Sequence, residues 1–339
     1  MILTLLLIAL GVIFLVYVLC KLFSHPSSQL YIADSPTHRS LHTVAVSRAG
    51  GVALVIPIFA SWVIAILFLD ANVNFIGVLA GFSLLIVISY LDDKLVISPL
   101  LRLLVHVFAA YILVEVGLNM FAGWGKVFDI IIKLAVILLI VWSINTYNFM
   151  DGIDGLAGGM GVMGFSCLAW HGWAHGNYIY MYLAIGIVAA NIGFLLHNFP
   201  PARIFMGDTG SIAMGYTASF FSIWGVNDGM FAWWVPVLIF SPFLVDSTIT
   251  LIKRLIRGDR VWEAHRSHYY QKLVLYGWSH GKTVITEYML MLVAAGTTIY
   301  LSCFGSARLE LYMLTIWVFV YMVLIFLISN LSADKGNLS

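Results

Sequence analysis

From Met1 to Cys20 the chain runs without a charged side chain, and apolar stretches of similar length return along the whole sequence. About 20 apolar residues wound as a helix cross the hydrocarbon of a bilayer, where each backbone N–H and C=O must be satisfied within the segment itself. Read between polar breaks, such runs predict eleven helices at 2–22, 52–69, 75–91, 100–118, 127–144, 156–172, 178–197, 211–226, 231–251, 284–304 and 310–329. Of 339 residues 62% are hydrophobic and 10% charged, against roughly 25% charged in an ordinary soluble domain, so the solvent is largely lipid. Little remains for an extramembrane domain, and neither an internal repeat nor a low-complexity linker divides the chain. The expected fold is therefore all-α, a polytopic membrane protein of one domain over 1–339. The first run has no basic residues ahead of it and no small-residue cleavage site, so it reads as a retained span.

A formal net charge of +1 gives no global basic field and argues against a nucleic-acid partner, so functional charge has to be local. With eleven spans the termini lie on opposite faces. One face then receives all the Lys and Arg except Lys126, Lys133 and Arg308, out of 17 in total. The positive-inside rule makes that face cytoplasmic, with the N-terminus periplasmic and the C-terminus cytoplasmic. Cys20, Cys167 and Cys303 lie far apart in apolar runs, which suggests core packing and neither a disulfide framework nor a zinc site.

The cytoplasmic face also gathers the motifs, on inner loops 23–51, 92–99, 145–155, 198–210 and 252–283. At the junction of spans 5 and 6, Asn145, Asn148, Asp151 and Asp154 recur every third residue among glycines, a spacing that turns polar side chains toward one face. Helix capping accounts for at most two of the four. Before span 8 stands Phe205-Met-Gly-Asp208-Thr-Gly-Ser211. An Asp beside glycines at a helix start suits a divalent cation, and the helix N-terminus suits phosphate oxygens, while an ordinary Asp or Ser cap is the plainer reading. Asp92 and Asp93, followed by Lys94, close span 3; paired carboxylates are tolerable where a cation compensates them, or where both are simply solvated. His265, Arg266 and His268 lie in a basic loop that can clamp phosphates or anchor anionic lipid heads. In the first inner loop, His42 and Arg48 stand before Gly50-Gly51, which permits close approach of a helix or ligand. His106, His171, His175, His197 and His280 are isolated and read as structural or interfacial. One rim that collects carboxylates, amides, cations and glycine-rich turns suits Mg²⁺-assisted phosphoryl chemistry, with the bilayer supplying a lipid substrate.

At these motifs the sequence closely resembles the polyprenyl-phosphate N-acetylhexosamine-1-phosphate transferase superfamily. The resemblance rests on Asn-x-x-Asn-x-x-Asp-Gly-Ile-Asp-Gly-Leu-Ala at 145–157, Asn-Phe-Pro-Pro-Ala-Arg-Ile-Phe-Met-Gly-Asp-Thr-Gly-Ser at 198–211 and the Asp-Asp pair, in the family's order. It runs from about residue 30 to 285. It implies a multi-pass protein of the bacterial inner membrane that transfers an N-acetylhexosamine-1-phosphate from a UDP-sugar to undecaprenyl phosphate and releases UMP. The cofactor implied is Mg²⁺, with Mn²⁺ able to substitute, held by Asn148 and Asp208. Asn145 and Asp151 are expected to line the same pocket, Phe205 to stack on uracil and Asp154 to hydrogen-bond it. His265, Arg266 and His268 match the loop that grips the diphosphate, and Asp92, Asp93 and Lys94 stand where the lipid phosphate is received. A second copy of the chain is a further expected partner.

An anionic lipid phosphate needs no general base at neutral pH, so direct attack is favoured over a covalent aspartyl intermediate. His265-Arg-Ser-His268 lacks the run of histidines found in the peptidoglycan branch, phospho-MurNAc-pentapeptide transferase, and is like the initiators of O-antigen and teichoic-acid synthesis. Ala45-Val46-Ser47 departs from the family's usual Pro-Thr-Pro before Arg-x-Gly-Gly. Two other classes fit the sequence less well. A CDP-alcohol phosphatidyltransferase needs further acids after Asp154-Gly, which are missing. A transporter needs buried charge near mid-span, yet the spans read as nearly empty of acids, with Glu115 and Asp246 close to helix ends.

Overall fold

A computed structural model describes residues 2–34, 45–68, 74–95, 97–117, 126–260 and 265–336. His42 lies outside the described residues. Among the described residues thirteen helices follow one another: α1 (Ile2–Phe23), α2 (Gly50–Phe68), α3 (Phe75–Lys94), α4 (Pro99–Gly117), α5 (Lys126–Phe149), α6 (Leu156–Ala174), α7 (Tyr178–Asn198), α8 (Gly207–Asn227), α9 (Trp234–Ile239), α10 (Ser241–Arg257), α11 (Tyr269–Tyr276), α12 (His280–Phe304) and α13 (Ala307–Gly336). Among the described residues the extended pairing is a two-stranded antiparallel ladder, β1 (Ala33–Asp34) with β2 (Val46–Ser47), and a bridge from Ser47 to Ile204. The chain is a polytopic membrane protein, and eight of the described helices are long and apolar enough to cross a bilayer.

The helices outside that set differ for a physical reason. α8 lies at the centre of the bundle, packed by α2, α3 and α5, and nearly its whole length is buried. A span that meets protein on all sides can be rich in Gly, Ser and Thr, because small residues let backbones approach and neighbouring helices satisfy the hydroxyls. Ser219 and Thr217 accordingly donate to carbonyls one turn back, at 3.0 and 2.7 Å. α6 carries glycines for the same purpose: a Cβ at Gly161 would collide with the Asn191 side chain of α7. The lipid-facing helices α1 and α13 expose Leu, Phe and Ile instead.

The ninth expected span, 231–251, is not one helix. It breaks at Phe240, which ends α9 and precedes α10, and Pro242 in the first turn of α10 lacks the N–H that would continue the α9 ladder. α10 then turns its polar side inward. Asp246, Thr250 and Arg254, four residues apart, are buried, while Ile252, Leu255 and Ile256 are exposed. Asp246, expected near a helix end, is therefore an interior residue. Glu287, which the reading of the spans passed over, lies within α12. All three cysteines are free.

Candidate active site

The C-terminal ends of α3, α5 and α7 and the N-terminal ends of α2, α4, α6, α8 and α12 come together at one end of the bundle. Between them lies a cavity of about 290 Å³ lined by Asp34, Arg48, Asn148, Asp151, Gly152, Ile153, Asp154, Asn198, Phe205, Gly207, Asp208, Gln271 and His280. Of the residues singled out from the sequence, Arg48, Asn148, Asp151, Asp154, Phe205 and Asp208 line this cavity together.

Backbone pairing holds the first wall. Ser47 C=O accepts the Phe205 amide at 2.8 Å, and the Gly50 and Gly51 amides donate to Phe205 and Met206 carbonyls at 3.0 and 2.8 Å. A Cβ at Gly51 would strike the backbone of Gly210, so the Gly-Gly pair serves approach of chain to chain. Val46 and Ser47, in the departure from Pro-Thr-Pro, form β2, and Arg48 beyond them reaches back to Asp34 at 2.7 Å.

The second wall is α8. Gly207 sits at φ +66, and the Asp208 and Thr209 amides donate to the Asp93 carboxylate, both at 3.1 Å, with the Thr209 hydroxyl adding a contact at 2.7 Å. Asp93 thus caps α8 from another helix. Asp92 accepts the Ile97 amide at 3.0 Å and one Arg102 nitrogen at 2.7 Å, and that nitrogen also lies 3.5 Å from Asp208. Neither member of the pair is simply solvated. Lys94 is exposed, its ammonium 4.5 Å from the centre of the Tyr90 ring.

Asn148 donates to Asp208 at 2.9 Å and to Ser211 at 3.0 Å. Asp154 accepts the Ala202 amide at 3.0 Å, with His280 Nδ1 3.5 Å from the same oxygen. Withdrawal from water, and then the carboxylates of Asp208 and Asp93, hold the Asp151 carboxyl well above the ordinary range. A carboxylate in that condition is a site that gains from a nearby cation. The donors on offer are hard oxygens on Asp208, Asp151 and, with its amide turned, Asn148. Among the described residues no three His, Cys, Asp or Glu side chains converge to hold a metal by themselves. Such a set fits Mg²⁺, which keeps one or two protein carboxylates and shares its remaining positions with waters and substrate phosphates, and does not fit an all-protein cage.

Asp92, Asp93 and Lys94 lie off the cavity wall, and so do four further expected residues. Asn145 donates to the Val141 carbonyl of its own helix at 2.7 Å. His268 is buried, with Nδ1 3.0 Å from Asp246. His265 and Arg266 are half-buried beside it, and burial together with His268 and Arg254 pushes the His265 imidazole down to about 4. His265 is thus neutral at physiological pH, and positive charge near the site rests with Arg266, Arg48 and Arg102. Of the isolated histidines, His106 and His171 are buried as expected, whereas His280 faces the cavity. Arg102, Asp34 and Gln271 stand at the site without being among the expected site residues; Arg102 carries a signal, a basic residue nine positions beyond the Asp-Asp pair.

Residues 75–226, the stretch carrying Asp92, Asn148, Asp151 and Asp208, match the sequence profile described as Glycosyl transferase family 4. The "Probable undecaprenyl-phosphate N-acetylglucosaminyl 1-phosphate transferase" of Bacillus subtilis is 29% identical over 312 residues, covering 87% of this chain and 81% of its own. The phospho-N-acetylmuramoyl-pentapeptide-transferase of Halalkalibacterium halodurans is 32% identical over 170 residues, 49% of this chain and 50% of that protein. The decaprenyl-phosphate N-acetylglucosaminephosphotransferase of Mycobacterium tuberculosis is 26% identical over 306 residues, covering 79% and 75%. By its motifs, its family profile and these relatives, the chain is similar to members of the polyprenyl-phosphate hexosamine-1-phosphate transferase superfamily.

Proposed function

We propose that the protein transfers an N-acetylhexosamine-1-phosphate from a UDP-sugar to undecaprenyl phosphate at the cytoplasmic face of a bacterial inner membrane, through eleven crossings with the N-terminus outside. The observation that carries this reading is the cavity itself, whose wall brings Phe205 and Asp154 together with Asn148 and Asp208, Arg102 lying 3.5 Å from Asp208. An apolar cleft of about 250 Å³ adds support for a lipid acceptor: it is lined by Ile140, Ser143, Ile223, Val237 and Leu244 among others, on α5, α8, α9 and α10.

In this reading the Phe205 ring stacks on uracil and Asp154 accepts its N–H. Arg48, released from Asp34, holds the diphosphate from one side, and Arg266 approaches from the loop beside the cavity. Arg102 and Lys94 receive the lipid phosphate. An oxygen of that phosphate attacks the sugar-bearing β-phosphorus, the bond from this phosphorus to the bridging oxygen breaks, and UMP leaves with the electron pair. Asp208 and Asn148, with Asp151 beside them, would hold Mg²⁺, which supplies charge neutralisation as the two anions approach. Asp93 has both oxygens committed to the start of α8, which supports direct attack over a covalent aspartyl intermediate.

The product is then an undecaprenyl-diphospho-sugar, the starting lipid for O-antigen or a related surface polymer. A second reading with a different donor, a phospho-MurNAc-pentapeptide transferase, draws on the Halalkalibacterium halodurans match. Purified protein with Mg²⁺, undecaprenyl phosphate and a panel of UDP-sugars that includes UDP-MurNAc-pentapeptide separates the two. UMP release with an N-acetylhexosamine donor supports the proposal, release with the pentapeptide donor alone selects the second reading, and no release with any donor contradicts both.

A further inference from the structure

α11 begins with two backbone amides that no residue of its own turn satisfies. They are met from α10: Asp246 Oδ1 accepts Tyr269 N–H at 3.0 Å, and Oδ2 accepts Tyr270 N–H at 3.1 Å. The same Oδ1 lies 3.0 Å from His268 Nδ1 and 3.1 Å from the Thr250 hydroxyl. Asp246 is 7% exposed and His268 3%, so the carboxylate is a buried charge with four donors, placed at a helix N-terminus where negative charge is favoured. A carboxylate so fully engaged fixes the position of everything attached to it.

Of the two side chains that follow, Tyr270 reaches the segment 149–152 and Gln271 the cavity wall. The Tyr270 hydroxyl donates to the Phe149 carbonyl at 3.0 Å and lies against Gly152. A Cβ on residue 152 would collide with that hydroxyl, so the glycine is needed for the contact. Gln271, whose Oε1 accepts His268 N–H at 3.3 Å, is part of the cavity wall. The segment pinned by Tyr270 links Asn148, at the end of α5, to Asp151 and Asp154.

We propose that Asp246 is a positioning residue of the reaction site. By holding α11 at His268, Tyr269 and Tyr270, it sets the Tyr270 hydroxyl against Phe149 and Gly152 and so fixes the turn that presents Asn148 and Asp151. His268 belongs to this clamp, with Nδ1 occupied by Asp246 and not directed to substrate. The kinetic part of the proposal rests on the transferase reading; the geometric part does not.

The test uses the full-length protein as wild type, Asp246→Asn, Tyr270→Phe and the double variant. Tyr270→Phe removes one oxygen and leaves the ring packed, so it keeps the proposal testable if Asp246→Asn fails to fold. In chelator, with no substrate present, amide hydrogen exchange over residues 150–155 should rise in each variant. In turnover, kcat should fall about tenfold to hundredfold, as expected when reacting groups are displaced by about an ångström, while KM for the UDP-sugar moves by less than about threefold. Because the two residues act in series, the double variant should be no slower than the slower single variant. Unchanged exchange over 150–155 in Tyr270→Phe, or losses that multiply in the double variant, would overturn the proposal. If the wild type itself releases no UMP, the transferase reading fails and the exchange measurement still decides the clamp.

Discussion

The carboxylate of Asp93 accepts the backbone amide of Asp208 at 3.1 Å, joining the end of α3 to the start of α8 across 115 positions of sequence. It also accepts the Thr209 amide and hydroxyl, so one acid satisfies three donors at the point where the candidate metal ligand is presented. Replacement by Ala should destabilise the protein by about 1–3 kcal/mol, the usual cost of leaving buried donors unpaired, and lower activity at least a hundredfold by releasing Asp208. Thr209→Val, which removes the hydroxyl alone, should cost about 1 kcal/mol. Thermal unfolding and turnover of both variants check this, and an Asp93→Ala protein with full activity would contradict it.

Asp151 titrates in the opposite sense to an ordinary paired carboxylate. Its folded value is raised, so the unfolded chain releases the proton more readily, and stability present below the unfolded value is lost as pH rises through the folded one. Asp151→Asn should therefore melt above wild type in chelator at about pH 8, with the gap closing toward about pH 4, the ordinary carboxylate range. Turnover should be lost at every pH. A gap that widens on acidification contradicts the assigned cause.

Mg²⁺ should raise the melting temperature of the wild type. By mass action, a concentration of a hundredfold Kd adds about 2.7 kcal/mol to the folded state. Asp208→Asn should abolish that response while melting normally in chelator. An undiminished Mg²⁺ response in Asp208→Asn would remove this residue from the metal site.

Arg102 is shared between Asp92, at 2.7 Å, and Asp208, at 3.5 Å. Arg102→Gln should raise KM for the lipid phosphate about tenfold, a loss of one charge-assisted contact, and change KM for the UDP-sugar by less than about twofold. Equal effects on both substrates would show that Arg102 does not discriminate the acceptor.

Much of the architecture could be read from the chain because hydrophobic length is a local property. Ten of the eleven expected spans correspond to single helices, and only 231–251 is split, where Pro242 interrupts a run that is apolar on both sides. The motif acids Asp151, Asp154 and Asp208 were legible for a similar reason, since each sits in a short glycine-rich signature. What stayed hidden depends on distant pairings. Asp93 reads as half of an acidic pair until α8 is placed beneath it. Asp246 reads as an interfacial acid until α11 docks on it, and His280 reads as isolated until Asp154 lies 3.5 Å away. Arg102 reads as one cytoplasmic base among many until the fold makes it a bridge between two carboxylates.

The central claim concerns which bond breaks, and a donor labelled with radioactive phosphorus at the β-phosphate of UDP-N-acetylglucosamine, or of the hexosamine donor that supports UMP release, tests it most directly. With undecaprenyl phosphate and Mg²⁺, the label should leave the nucleotide, appear in the lipid phase together with the sugar, and be matched by an equal amount of unlabelled UMP. Label that remains on uridine diphosphate while sugar alone reaches the lipid would contradict phosphosugar transfer and identify ordinary glycosyl transfer instead.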